Sequence, residues 1–295
     1  DLLSLYDEDG DVGYELEDCF RIVAEGLPLS SLSPADQILW LLERYLDGAC
    51  GLLDGWRGYL SGPMDAPDTW RVVAASLEAR LQRLPPPADR PADRLRRQRW
   101  VEVLIDAYRR SGQDDRVIPL LEAEADACLL HERLVDALVA ADALDRASDA
   151  CIRGYLAITG GAPGIATRLL ERLGEIAEAQ GRPDRAAACR AVRFFAGPSL
   201  EAWQAVQTAA ERAGLWEGTR AGLLHFLETG ALPEPGPRRS AGDGWPLPPI
   251  GLDASAAAGR RLPPGRFPDR HLLVSVALHE ARFDDAIALC RAAAT

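Results

Sequence analysis

Ala137-Leu138-Val139-Ala140-Ala141-Asp142-Ala143-Leu144-Asp145-Arg146 is the stretch from which the fold can be read. Leu134, Ala137, Leu138 and Ala141 fall three and four apart, the spacing of one helical face. Asp142 interrupts that face, and a second one follows at once in Ala147, Ala150, Cys151, Gly154, Tyr155 and Ile158. Two amphipathic helices joined by so short a turn must fold back on each other as an antiparallel hairpin.

The same arrangement recurs at Ala107–Arg116, Ile176–Arg185, Ala209–Gly218 and Ala277–Asp285. The turn positions are Gly112, Asp142, Gly181, Gly214 and Ala281, each followed three residues later by an acid: Asp115, Asp145, Asp184, Glu217 and Asp284. Glycine permits the left-handed backbone that ends a helix, and an acid in the first turn of the next helix meets a favourable dipole. The small residues beyond (Ala147, Ala186, Thr219, Ala286) allow the paired helices to approach closely. Positions 112, 142, 181 and 214 are 30, 39 and 33 residues apart, bracketing the ~34-residue tetratricopeptide period. Position 281 follows after 67, about twice that, because of an insertion.

Strand signals are nearly absent. The expected fold is all-α, a superhelical stack of antiparallel hairpins of the tetratricopeptide-like kind. Helix starts are marked at Ser33-Pro34 and Pro198-Ser199. The chain divides into N-terminal hairpins over 1–84, a repeat array over 85–229, a Pro/Gly-rich insertion over 230–270, and the opening of a further hairpin over 271–295. Trp245, Leu247, Ile250, Leu252 and Phe267 of the insertion are apolar enough to dock along the superhelix. With no initiator Met and an end inside a helical pattern, the sequence reads as a piece of a longer polypeptide.

The 295 residues carry 47% hydrophobic side chains and a net charge of −12. That charge opposes nucleic-acid or anionic-membrane binding through the general surface. Neither a signal peptide nor a membrane span is evident. Lys and Asn are missing altogether, and their A-rich codons point to a GC-rich bacterial genome. Six scattered cysteines (Cys19, Cys50, Cys128, Cys151, Cys189, Cys290) read as reduced, buried small hydrophobes in a cytoplasmic protein.

Three stretches resemble the helical-repeat region that lies carboxy-terminal to the zinc finger in bacterial SWIM zinc-finger proteins. These are Tyr14–Phe20 with Leu39–Leu46 and Gly51–Asp54; Arg133–Leu138; and Pro268–Val274 with Asp284–Ala286. The resemblance implies a helical module whose finger, of the form CxCx(n)CxH, stands upstream. No Cys-x-Cys occurs here, so no metal site is carried over.

Candidate chemistry is sparse. His279-Glu280 lacks the second histidine of a zincin motif, and His271 shares at most a helix face with it, so the four histidines (His131, His225, His271, His279) read as structural. Asp7–Asp11 lacks calcium-loop spacing, and Gly160–Gly164 has neither the strand nor the lysine of a P-loop. Neither catalytic residues nor a cofactor are expected. Partner-binding candidates are Arg90, Arg94, Arg96, Arg97, Arg99 and Trp100, a basic stretch with one aromatic; its alternative is a solvated face paired with Asp89 and Asp93. The function expected is a protein-interaction scaffold that binds a peptide or partner protein in a superhelical groove. The alternative is an accessory module of a nucleic-acid-binding SWIM protein.

Overall fold

A computed structural model describes residues 11–47, 58, 60, 62–87, 90–158, 163–233, 244–252 and 267–293. Within them all five expected turn positions have left-handed backbone, with φ of 71° at Gly112, 55° at Asp142, 70° at Gly181, 67° at Gly214 and 57° at Ala281. The hydrogen bonding is the same each time. The residue after the turn position (Gln113, Ala143, Arg182, Leu215, Arg282) donates its N–H to the carbonyl five residues back, at 2.8–2.9 Å. The turn residue itself donates to the carbonyl three back, at 2.9–3.1 Å. These two bonds form a Schellman motif, which satisfies carbonyls that the helix end would leave bare. The same following residue then accepts the first bond of the next helix, as in Ala147 N–H to Ala143 O at 2.9 Å and Ala186 N–H to Arg182 O at 3.1 Å. One helix therefore stops and its partner starts within two residues.

The described residues are all helical apart from turns and extended links, with thirteen α-helices and no strand among them. None of these helices is long and apolar enough to cross a membrane. By packing, the chain divides into a first unit, residues 1–130, and a second, residues 131–295. The first holds α1 (Asp11–Gly26), α2 (Pro34–Asp47), α3 (Pro67–Arg83), α4 (Pro91–Arg110) and α5 (Val117–Cys128). Within this unit α3 and α4 pack together on either side of the proline-rich link. Ser33 begins α2 as read from the sequence: its Oγ accepts from the Asp36 N–H at 3.2 Å and donates to the Asp36 carboxylate at 2.6 Å. Phe20 of α1 stacks on Trp40 of α2 at 5.7 Å, over Ala24, Leu27 and Leu41. Trp70, Leu77, Leu104 and Tyr108 fill the seam between α3 and α4.

The second unit holds α6 (His131–Ala140), α7 (Leu144–Ile158), α8 (Pro163–Ala179), α9 (Pro183–Ala196), α10 (Leu200–Arg212), α11 (Trp216–Thr229), α12 (Arg270–His279) and α13 (Phe283–Ala293). Each packs on the next in the chain, and α6 also meets α8 and α10 meets α12. The small residues after each turn, Ala147, Ala186, Thr219 and Ala286, are all buried. Edge-to-face rings tie α9 to its neighbours: Phe194 to Trp203 at 6.0 Å and Phe195 to Phe226 at 4.9 Å. Ser199 caps α10, accepting from Ala202 N–H at 3.1 Å.

Cysteine burial departs from expectation. Cys128, Cys151 and Cys189 are buried free thiols, but Cys19 and Cys290 are exposed, because each falls on the solvent face of a helix at the edge of its unit. Cys50 lies outside the described residues.

Two contacts in the second unit generate tests. His131 packs against Gly154: a Cβ on residue 154 would stand 2.7 Å from the His131 Cγ and 2.8 Å from its Cβ, and the Cβ is fixed by the backbone whatever the side-chain rotamer. Gly154→Ala should therefore destabilise the protein by about 1–3 kcal/mol despite alanine's better helix propensity. In a chemical-denaturation cycle His131→Ala should recover only part of that loss, because the residue-131 Cβ stays 2.8 Å away, and His131→Gly should relieve the whole of the contact.

The second contact is a clip at the end of α12. Glu280 receives both nitrogens of the Arg220 guanidinium, at 2.6 and 2.7 Å, and Arg282 Nε at 2.7 Å, with only 12% of its side chain exposed. Burial alone would raise the Glu280 carboxyl, but hydrogen bonds and charge from Arg220 and Arg282 outweigh it and hold the carboxyl below its usual range. A depressed folded-state pKa gives stability that is complete above the unfolded value and lost as pH falls through the folded one. Glu280→Gln should thus cost about 1–3 kcal/mol at neutral pH, and in urea titrations the gap to wild type should close as pH falls through the lowered Glu280 range.

Candidate interaction surface

The six residues singled out in the sequence all lie in the first half of α4 or at its start. Pro91 at the first helical position starts that helix, with Arg90 before it accepting the Arg94 N–H at 3.2 Å. Arg90 and Arg96 are exposed, and Arg94 and Arg99 are half-exposed. Arg97 faces inward. Its Nε and Nη2 bind the two carboxylate oxygens of Glu124 on α5 at 2.6 and 2.7 Å, and its Nη1 donates to the carbonyls of Leu84 and Pro85 at 3.1 and 3.2 Å. Side-chain exposures of 14% for Arg97 and 10% for Glu124 make this a buried fork that fastens the proline-rich link to both helices. The Glu124 hydrogen bond raises the Arg97 pKa, so the guanidinium charge is secure. Trp100 is 7% exposed and belongs to the core of the first unit. The stretch thus divides into a structural pair, Arg97 and Trp100, and four arginines that reach solvent.

The groups capable of chemistry are placed apart. His131 is buried on Gly154, His225 and His271 are exposed, and His279 is held between Gln204 at 3.3 Å and Gln207 at 3.2 Å on α10. Among the described residues no three His, Cys, Asp or Glu side chains gather in a metal-holding group. Burial pushes the thiols up, Cys128 to about 11 and Cys151 and Cys189 to about 12. At neutral pH they stay protonated, and a thiol in that state is a poor nucleophile.

The surface with a repeating design is the one made by the first helices of the hairpins. Arg168 of α8 pairs with Glu132 of α6, and one turn on Arg172 pairs with Asp136, so the same 36-residue offset is used twice. Where α10 follows α8, a cleft of about 190 Å³ opens over α9. Gly174, Cys189, Ala202 and Ala205 line it with small side chains, flanked by Glu171 and Glu175 of α8 and Arg190 and Arg193 of α9. Arg193 reaches Glu171 at 3.2 Å, and Arg190 is held by Glu178 at 2.7 Å. Small-molecule sites run from about 300 Å³ upward, so this cleft is the size of one or two side chains of a bound chain rather than of a cofactor.

The second helices carry a different feature. Residues 244–252, Gly-Trp-Pro-Leu-Pro-Pro-Ile-Gly-Leu, lie across them outside any helix or strand, with a bend at Leu247. Trp245 sits on Gly222 of α11, where a Cβ would stand 2.6 Å from the indole Cε3, and its ring is 5.6 Å from that of Phe195 on α9. Pro246 covers Gly218, one turn earlier on α11, with its Cγ 3.1 Å from where a Cβ would be. Leu247 and Ile250 are 4% and 3% exposed, and Gly251 lies beside Ile152 of α7. The sequence marks the docking residues by their apolarity, but nothing in it reveals that the recipient surface is glycine-paved.

Compared with protein-family models, with curated proteins and with solved structures, the chain finds no match in any of the three.

The inward role of Arg97 is tested by stability rather than by binding. Arg97→Ala should lower the unfolding free energy by about 2–4 kcal/mol, because it strands Glu124 in the core. Arg96→Ala should change it by no more than about 0.5 kcal/mol. Urea unfolding of the two variants beside wild type makes the comparison.

Proposed function

We propose that the chain is a protein-interaction scaffold, a tetratricopeptide-like superhelical stack of hairpins whose first helices bind a peptide or partner protein in a groove. The observation that carries this reading is the repeated first-helix surface, in which the Arg168–Glu132 and Arg172–Asp136 pairs keep one register and a side-chain-sized cleft opens between α8 and α10. Stacked hairpins extend such a surface from unit to unit, which suits an extended or helical partner more than a small molecule. The flanking Glu171, Glu175, Arg190 and Arg193 favour a partner with charges of both signs around a small apolar side chain. The high thiol pKa values and the scattered histidines support a non-enzymatic role. Within this reading the chain is the helical region of a cytoplasmic, SWIM-type bacterial protein, and the scaffold serves whatever the upstream finger recognises.

Nucleic-acid binding through Arg90–Arg99 has weaker support. Arg97 is spent on Glu124, and the net charge of −12 repels phosphate.

Ala205→Arg places a long side chain in the cleft and tests the reading. Affinity purification from the host should recover a protein with wild type that is lost with Ala205→Arg, and titration calorimetry should show saturable binding weakened at least about tenfold. A partner that binds both equally would remove the cleft from the reading. Retention on DNA or RNA at low salt, with a steep salt dependence, would instead favour the nucleic-acid role.

A further inference from the structure

We infer that the second-helix face of the second unit is a binding groove for proline-rich segments with an aromatic residue ahead of the prolines, and that in this chain residues 245–250 fill it in cis. The partner chemistry is that of Trp245-Pro246-Leu247-Pro248-Pro249-Ile250 itself: another protein's segment of the same kind would take the same seat. This site uses helices α7, α9 and α11 and stands independently of the cleft between α8 and α10.

Three observations carry the inference. The first is the recipient surface. Gly218 in the first turn of α11 and Gly222 one turn later both face the segment: a Cβ would stand 3.1 Å from Pro246 at the first and 2.6 Å from Trp245 at the second. Glycine inside a helix is unfavourable without such a reason. Together with Phe195 the two glycines make a flat floor with an aromatic wall, the form of surface that proline-rich segments select.

The second is the ligand. Three prolines in six residues fix φ at half of the segment's positions before it docks, so that less conformational entropy remains to be lost. Leu247 and Ile250 are both buried.

The third is the manner of attachment. Among the described residues no hydrogen bond joins 244–252 to the helices beneath; the contacts are apolar and aromatic. The seat is thus specified by side chains, so that a segment carrying the same side chains meets the same surface. Being part of the same chain, the segment competes intramolecularly and keeps the groove filled against a dilute competitor.

The test uses the whole chain and a fluorescein-labelled peptide of residues 244–252, followed by anisotropy. Wild type should show little binding, because its own segment competes. Trp245→Ala/Leu247→Ser/Ile250→Ser, which releases the segment, should bind the peptide at least about tenfold more tightly. Adding Gly222→Val, which occupies the seat of the indole, should abolish that gain. A peptide with its three prolines replaced by alanine should bind several-fold more weakly. If the triple variant loses its helical circular dichroism, Trp245→Ala alone, which keeps Leu247 and Ile250 docked, takes its place with a smaller gain in the same direction. Failure of a helical, segment-released variant to bind the peptide overturns the inference. So does binding that survives Gly222→Val, or binding by wild type as tight as by the released variant.

Discussion

A helix that stops leaves carbonyl groups without partners, and in a stack of hairpins it must stop beside the start of its own packing partner. The chain meets both demands with one residue in left-handed conformation. At Gly112, Asp142, Gly181, Gly214 and Ala281 that residue lets the following N–H reach back to the carbonyl five residues earlier, and the same following residue opens the next helix. Were the turn a residue longer, the small side chains at Ala147, Ala186, Thr219 and Ala286 would no longer face the preceding helix, and the close seams on which burial depends would open. Asp142 and Ala281 hold the same geometry without glycine's freedom, at a cost of about 1 kcal/mol each. That the conformation persists there shows that packing on both sides, rather than local preference, fixes it.

Local signals were the legible ones. Turn glycines, acids three residues on, apolar faces and the Ser33 and Ser199 caps are all determined within a few residues of chain, and the helices follow from them. Contacts between residues far apart in sequence were not legible. Glu124 is 27 residues from Arg97, and no spacing rule connects a side chain on α4 with one on α5, so the basic stretch read as a surface when one of its members is an internal fork. Leu129, with φ of 54°, ends α5 in the same left-handed way as the turn glycines, but a leucine gives no hint of it. His131 was legible as structural, though its partner was not. Gly154 looked like one more small residue of a stripe, when it is the place where an imidazole ring lies against helix backbone.

The two sides of the hairpin stack in the second unit are built on different physics. First helices meet through charged and polar groups, Arg168 with Glu132, Arg172 with Asp136 and His279 with Gln204 and Gln207, which remain partly solvated. Such pairs contribute little stability each, so they set register and leave the surface open to a partner at small cost. Second helices present aromatic and bare-backbone surface, Phe195, Phe226, Gly218 and Gly222, which cannot stay wet cheaply and is covered by the chain's own proline-rich segment.

That covering makes α11 and the segment one thermodynamic element. Gly222, in the interior of a helix of 14 residues, lowers its intrinsic stability by about 1 kcal/mol relative to alanine, while burying Leu247 and Ile250 returns roughly 1.5–3 kcal/mol apiece. The helix is thus weak by itself and strong when covered. Its far end is bound to the next hairpin by the Asp269 N–H to Leu227 O hydrogen bond, at 2.9 Å, and Arg220, between the two glycines, is bound to it by the fork with Glu280. In an array where each hairpin leans on its neighbours, whatever occupies the groove over Gly218 and Gly222 therefore also sets how firmly α12 and α13 are held. An exchange of the covering segment would be felt in the last hairpin without any contact to it.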